Sequence, residues 1–231
     1  MDDRFEGRLY RRIIHKYFLN DLMFDLRLQA KREAVAFIRG HMRDALLVED
    51  RYKLLAYALD QAPRAGLVCE FGVAGGKTLR RIAAQVAGPV HGFDSFEGLP
   101  EDWAGTDQRR GSFSQKGKLP KVPANVRFHV GWFDATIPRF LETTSGDVAF
   151  LHMDADIYSS TKMALDLMAP RIKPGAVLVF DEYLNYPAWA EHEHRALGEF
   201  LAETGLSCRY IGFSTMRGQA AVKICSPNAS S

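Results

Sequence analysis

The sequence predicts an α/β fold: a doubly wound, otherwise parallel sheet with an antiparallel C-terminal hairpin and an N-terminal helical extension. Three observations predict it. Five short apolar runs follow Pro63, at Leu67–Phe71, Val90–Phe93, Val126–Val130, Val148–Met153 and Ala176–Phe180, and they read as strands covered on both faces. Each ends in a polar or glycine-rich turn and gives way to helical spacing, the alternation of βα units. Before Pro63 the apolar residues recur instead at three and four, as in Leu9, Ile13, Tyr17 and then Ala34, Phe37, Ile38, so the first quarter is expected to be helices alone.

Those elements divide the chain into a helical lid or oligomerisation extension over 1–62, a core domain over 63–225 and a small, polar, frayed tail over 226–231. Between the fourth and fifth runs, Thr161–Ala169 predicts a helix stopped by Pro170 and the Lys173-Pro174-Gly175 turn. Right-handed crossovers then favour parallel strands. Ser207–Phe213 and Gln219–Cys225 are close enough in sequence for a hairpin, expected at one edge of the sheet.

A length of 231 residues with 47% hydrophobic content suffices for one substantial core. Thirty Lys and Arg against 28 Asp and Glu leave a formal charge of +2, which excludes a broad footprint for nucleic acid or an anionic membrane and favours a small acidic or neutral ligand. Three widely spaced cysteines, Cys69, Cys208 and Cys225, suggest neither a disulfide framework nor a zinc site and fit a reducing cytoplasm. The charged N-terminus lacks the apolar stretch of an export signal or membrane span. Apolar residues such as Leu22, Met23, Phe24 and Leu26 point to a homo-oligomer or to closure over the site.

In an open α/β sheet, ligands bind beyond the carboxyl ends of the strands. After the first run stands Glu70-Phe71-Gly72-Val73-Ala74-Gly75-Gly76-Lys77-Thr78, whose glycines let the backbone turn sharply against a ligand before a helix begins near Lys77. The second run ends at Asp94, followed by Ser95, where nucleotide-binding folds place a carboxylate on the ribose hydroxyls. Glu70 is read as holding the positive end of the ligand or the water around it. The bland alternatives are a ligand-free turn for the glycines and a cap for Asp94.

The fourth run leads into Asp154-Ala155-Asp156 and the fifth into Asp181-Glu182-Tyr183, which brings carboxylates from neighbouring strands to one pocket. Asp154, Asp181 and Glu182 offer the hard oxygens that suit Mg²⁺, which would orient an acceptor's hydroxyls and lower the pKa of the reacting one. Without metal, a carboxylate or a histidine would act as general base. Against this, Asp156 with Ser159 and Ser160 sits where a helix cap would stand. His192 and His194 point to different faces of a helix; one is expected in solvent, and His192 is taken as the one reaching the pocket. Trp132 and Phe133 are candidates to pack on an adenine ring, or else complete a core edge.

With these residues in hand, the sequence resembles the macrocin O-methyltransferase family, bacterial enzymes that methylate sugar hydroxyls of natural products. The resemblance runs from about Leu67 to Phe200 and rests on Glu70-Phe71-Gly72-Val73 with Gly75-Gly76, on Gly92-Phe93-Asp94-Ser95-Phe96-Glu97-Gly98-Leu99-Pro100, on Gly131-Trp132-Phe133, and on the two acidic motifs. It implies a Rossmann-like methyltransferase sheet, S-adenosylmethionine with its methionine part along Gly72 and its ribose on Asp94, and magnesium on the acids after the fourth and fifth strands. Members usually carry paired aspartates where this chain has Asp181-Glu182.

Two rivals from other classes remain. Gly76-Lys77-Thr78 mimics a phosphate-loop NTPase, but Gly72 to Gly76 leaves three residues where that loop needs four. A catalytically silent binding subunit is the second. Among methyltransferases, a catechol-type or nitrogen acceptor is the alternative to a sugar or other natural product.

Overall fold

The computed structural model describes residue 14 and residues 20–216 and 218–227; the spacing at Leu9, Ile13 and Tyr17 and most of the tail lie outside them. In chain order the elements are α1 (Leu22–His41), β1 (Leu46–Val48), α2 (Arg51–Gln61), β2 (Leu67–Phe71), α3 (Lys77–Gln85), β3 (Val90–Asp94), β4 (Val126–Val130), α4 (Phe133–Thr143), β5 (Val148–Met153), α5 (Tyr158–Met168), β6 (Val177–Phe180), α6 (Glu193–Thr204), β7 (Ser207–Ser214) and β8 (Ala220–Cys225). The five expected runs are five strands, within a residue at each end.

The eight strands form one sheet in the order β1-β7-β8-β6-β5-β2-β3-β4. β2 through β6 are parallel and β8 runs antiparallel to β6 and β7. Two expectations are corrected. The first quarter is not all helix, because Leu46–Val48 pairs in parallel with Gly212–Ser214. That pairing also takes the hairpin off the edge, which β1 occupies. A three-residue strand carries almost no periodic signal of its own, and its partner lies more than 160 residues away.

Side chains alternate across the sheet with period two. Leu67, Cys69, Phe71, Leu151 and Met153 pack with α1, α4, α5 and α6, while Val68, Phe150, Val177 and Val179 pack with Leu54, Leu55 and Ala58 of α2 and Leu79, Ile82 and Ala83 of α3. The parity that places Val68 and Phe150 under α2 and α3 also turns Glu70, His152 and Asp181 to that face. α2 is capped by Asp50, whose carboxylate accepts the N–H groups of Tyr52 and Lys53, and this sets Arg51 at the helix's first position, over the sheet's carboxyl edge.

The strand order reverses between β2 and β5, the switch point where a crevice opens in such sheets. Beyond the strand ends the lateral bonding continues: Gly72 N–H to Phe93 O, Gly131 N–H to Asp94 O, Asp154 N–H to Phe71 O and Asp181 N–H to Met153 O, at 2.8–3.0 Å. Site residues from five strands are therefore held in one row.

Candidate active site

Along that row lies a cavity of about 1090 Å³, slightly above the volume usual for one drug-sized ligand and so able to take two reactants. Gly72, Val73, Gly75, Thr78, Asp94, Ser95, Trp132 and Phe133 line it, as do Asp154, Asp181 and Glu182. Gly72 and Asp94 share one cleft. Two expected members do not line it: Glu70 lies buried behind the wall, and His192 packs behind the loop after β3.

The bend between β2 and α3 is built around Asp94. Its Oδ2 accepts the N–H groups of Val73 and Ala74, each at 2.7 Å, and its Oδ1 accepts that of Phe96 at 2.6 Å. The backbone donors that a phosphate loop would turn toward its ligand are thus met by a carboxylate of the protein itself, which removes the phosphate-loop reading. Gly72 has φ +87°, and a Cβ there would run into the carbonyl oxygen of Asp154. Only glycine lets the end of β2 lie against that of β5. At Gly75 a Cβ would meet nothing within 4 Å, so the bend leaves room on its cavity side. Trp132 is 40% exposed on the cavity wall, and Phe133 packs edge-on against Phe71 at 5.5 Å. The glycine half of the cavity thus offers a flat aromatic surface beside a carboxylate, as a nucleoside requires.

The other half is acidic. Ligand oxygens of Asp154, Asp156 and Glu182 all lie within 4.8 Å of one another. Asp156 replaces Asp181 in this convergent group. It is not the helix cap: Ile157 stands at that position without a side-chain bond, and Asp156 has φ +63°, a left-handed turn that carries its carboxylate into the cavity. Burial, then the neighbouring Asp181 and Asp94, raises Asp156 to about 7. Burial followed by Asp181 likewise pushes Asp154 and Glu182 well above the usual carboxylate range. Oε2 of Glu182 is buried without a protein partner. Crowded hard oxygens of this kind, one of them unsatisfied, fit a divalent cation such as Mg²⁺.

Asp181 is engaged elsewhere. Its Oδ2 lies 3.2 Å from Nη1 of Arg51, its Oδ1 accepts from Nε2 of Gln219 at 3.1 Å, and Nε2 of His152 is 3.9 Å away. His152 is buried, with Nδ1 3.1 Å from Oε1 of Glu70. Burial alone would lower this imidazole, but Glu70, with Asp154 and Asp181 behind it, outweighs burial and raises it to about 9. Glu70 thus faces His152 within the sheet rather than the cavity. Arg51, His152 and Gln219 were missed in sequence, while Asp156 stood in the acidic motif but was weighed as a helix cap. The one local signal was a histidine inside an otherwise apolar strand; the others depend on which distant element lies opposite.

His192 is 5% exposed and packs edge-on against Trp103 at 6.1 Å; burial lowers its pKa. His194 is not in solvent either, since its Nδ1 lies 2.9 Å from the hydroxyl of Tyr183 and its ring meets Phe37, Trp189 and Tyr183. Tertiary packing of α1 against α6 overrides what the charged local sequence suggested.

Residues 69–183 match a family model described as a methyltransferase domain. The chain is 32% identical over 123 residues to the 8-demethyl-8-(2,3-dimethoxy-alpha-L-rhamnosyl)-tetracenomycin-C 4'-O-methyltransferase of Streptomyces olivaceus, covering 44% of this chain and 45% of that protein. It is 36% identical over 108 residues to the mycinamicin III 3''-O-methyltransferase of Micromonospora griseorubida, covering 46% of this chain and 39% of that one. The matched part spans less than half of either relative. Among solved structures, calicheamicin methyltransferase CalS11 superposes with a TM-score of 0.58 at 21% identity over 96% of this chain and 94% of its own. The O-methyltransferase TomG from Streptomyces achromogenes, crystallised with S-adenosylmethionine, does so with a TM-score of 0.52 at 19% identity, over 85% and 90%. These likenesses establish the fold, and the sequence relatives are natural-product O-methyltransferases, as the motifs implied. The part of the chain that matches the methyltransferase-domain model, residues 69–183, is the part that carries the glycine bend, Asp94 and the strand-end acids.

Proposed function

We propose that the protein is an S-adenosylmethionine-dependent O-methyltransferase acting on a hydroxyl of a sugar or other small natural-product acceptor, assisted by Mg²⁺. The observation that carries this reading is one cavity with two unlike halves, a glycine bend closed by Asp94 and a convergent group of acids. The sequence relatives support the class of acceptor.

The glycine half, with Gly72, Val73, Gly75, Thr78, Asp94, Ser95, Trp132 and Phe133, would hold the cofactor, which supplies an electrophilic methyl group on a sulfonium. Asp154, Asp156 and Glu182 would hold the metal, which supplies charge to orient and acidify the acceptor hydroxyl. The chain's own part is alignment of the acceptor oxygen, exclusion of water and removal of one proton. Positioning of this kind is worth roughly 7–11 kcal/mol in favourable cases. An oxygen of Asp154 or Asp156 takes the proton, since both line the cavity, whereas Asp181 is held by Arg51 and Gln219 and His192 lies behind the wall. A hydroxyl acceptor suits such acids better than an amine, which needs no metal to become nucleophilic.

A thermal-shift comparison tests the cofactor: S-adenosylmethionine and its demethylated product are expected to raise the melting temperature and ATP is not. A shift with ATP alone overturns the reading. Exhaustive chelation is expected to abolish turnover of a sugar acceptor; full activity after chelation leaves proton transfer to the carboxylates alone. Self-association is supported by exposed Leu22 and Leu26 on α1 and is read by light scattering. A reducing, cytoplasmic setting is supported by three free thiols. Among the described residues no helix is long and apolar enough to cross a membrane.

A further inference from the structure

One buried acid has no part in the reading above. Glu193 opens α6, lies outside the cavity and is completely buried. Its Oε2 accepts the backbone N–H of Glu182 at 2.9 Å, and its Oε1 has no protein partner. The parallel ladder ends just before this point, where Asp181 N–H bonds Met153 O. Glu182 is thus the first residue beyond the strand whose donor has no strand to face. A side chain eleven positions further along captures it.

Burying a carboxyl group is costly unless it is bonded, and an acid in a helix's first turn gains a dipole interaction at the surface as well. Capping α6 therefore does not require Glu193 to be buried. Holding Glu182 does. The segment between Glu182 and Glu193 turns through left-handed residues at Asn185 and Ala188 and does not fix Glu182 by regular structure. α6, by contrast, is anchored by Ala196, Leu197 and Phe200 in the main core, so a side chain from its first turn is a rigid reference.

We propose that Glu193 is a positioning residue for the metal site: by accepting the Glu182 N–H it fixes the backbone from which the Glu182 carboxylate reaches toward Asp154 and Asp156. The proposal rests on the Mg²⁺ reading of those acids. Reach and charge are separable. Glu193→Gln keeps an oxygen at the same distance and removes the possible charge, while Glu193→Asp keeps the charge and is one methylene short.

Calorimetric titration of the purified full chain with Mg²⁺ reads the difference. Glu193→Gln is expected to bind Mg²⁺ within about threefold of the parent, and Glu193→Asp to lose roughly 10–100-fold, the usual effect of removing a group that orients a metal ligand. Equal affinity of all three proteins, or a loss in Glu193→Gln as large as in Glu193→Asp, overturns the positioning role. If the parent chain itself takes up no Mg²⁺, the metal reading fails instead. Amide exchange at Glu182 in the parent chain gives a readout without substitution, and the bond requires that amide to be protected although it lies outside the strand ladder.

Discussion

The carboxylate of Asp94 and the backbone N–H of Val73 meet at 2.7 Å across the mouth of the β2–α3 bend, so the acid at the end of one strand shapes the turn that leaves its neighbour. Asp94 also receives Ala74 and Phe96. A carboxylate has about four acceptor sites, and these three bonds leave little free for a ligand. Its first task is to hold the bend open, and any contact with ribose is made by what remains.

Asp94→Ala therefore acts on stability and on cofactor binding together. Losing three charged hydrogen bonds is expected to cost about 2–4 kcal/mol, a fall in melting temperature of roughly 5–15 °C for a chain of this size. Affinity for S-adenosylhomocysteine is expected to drop by about tenfold or more, equivalent to one such bond. Unchanged calorimetric affinity removes Asp94 from the site.

Gly72→Ala tests the close approach of β2 and β5. The new methyl group meets the carbonyl of Asp154 at a backbone φ of +87°, and strain plus displacement is expected to cost about 2–4 kcal/mol in chemical unfolding. A variant as stable as the parent contradicts the packing described.

Arg51→Ala separates the two halves of the cavity. Arg51 touches Asp181 and Tyr52 and lies on the acidic side, so cofactor affinity is expected to be unchanged while turnover of the acceptor falls about tenfold, as for one charged hydrogen bond. A matching loss of S-adenosylhomocysteine binding would place Arg51 on the other ligand.

His91 makes stability depend on pH. Burial, with His129 and Arg127 nearby, lowers it from its ordinary 6.5 to about 4, and its Nδ1 lies 3.1 Å from Nε2 of His129. The unfolded chain takes up a proton near pH 6.5 that the folded chain refuses until about 4, so this contribution is complete above pH 6.5 and declines as pH falls toward 4. His91→Gln is expected to flatten the fall in melting temperature between pH 7 and 4.5. Parallel curves for the two proteins exclude the effect.

Local composition determined a good deal of this protein. The apolar runs from Leu67 to Phe180 announce parallel strands because residues buried on both faces must be apolar. The glycines at Gly72 and Gly75, with Asp94, Asp154, Asp181 and Glu182, mark strand ends because an open α/β sheet gathers its ligands there. Tertiary structure alone decided which acids converge and which are already taken. Asp156 enters the group through one left-handed turn, Asp181 is claimed by Arg51 from a helix and Gln219 from a hairpin loop, both far along the chain, and Glu193 reaches back to Glu182. Leu46–Val48 becomes an edge strand only because β7 offers an open edge. Periodicity reports the burial of a residue's own element; partnerships depend on what another element brings opposite, and no local pattern encodes that.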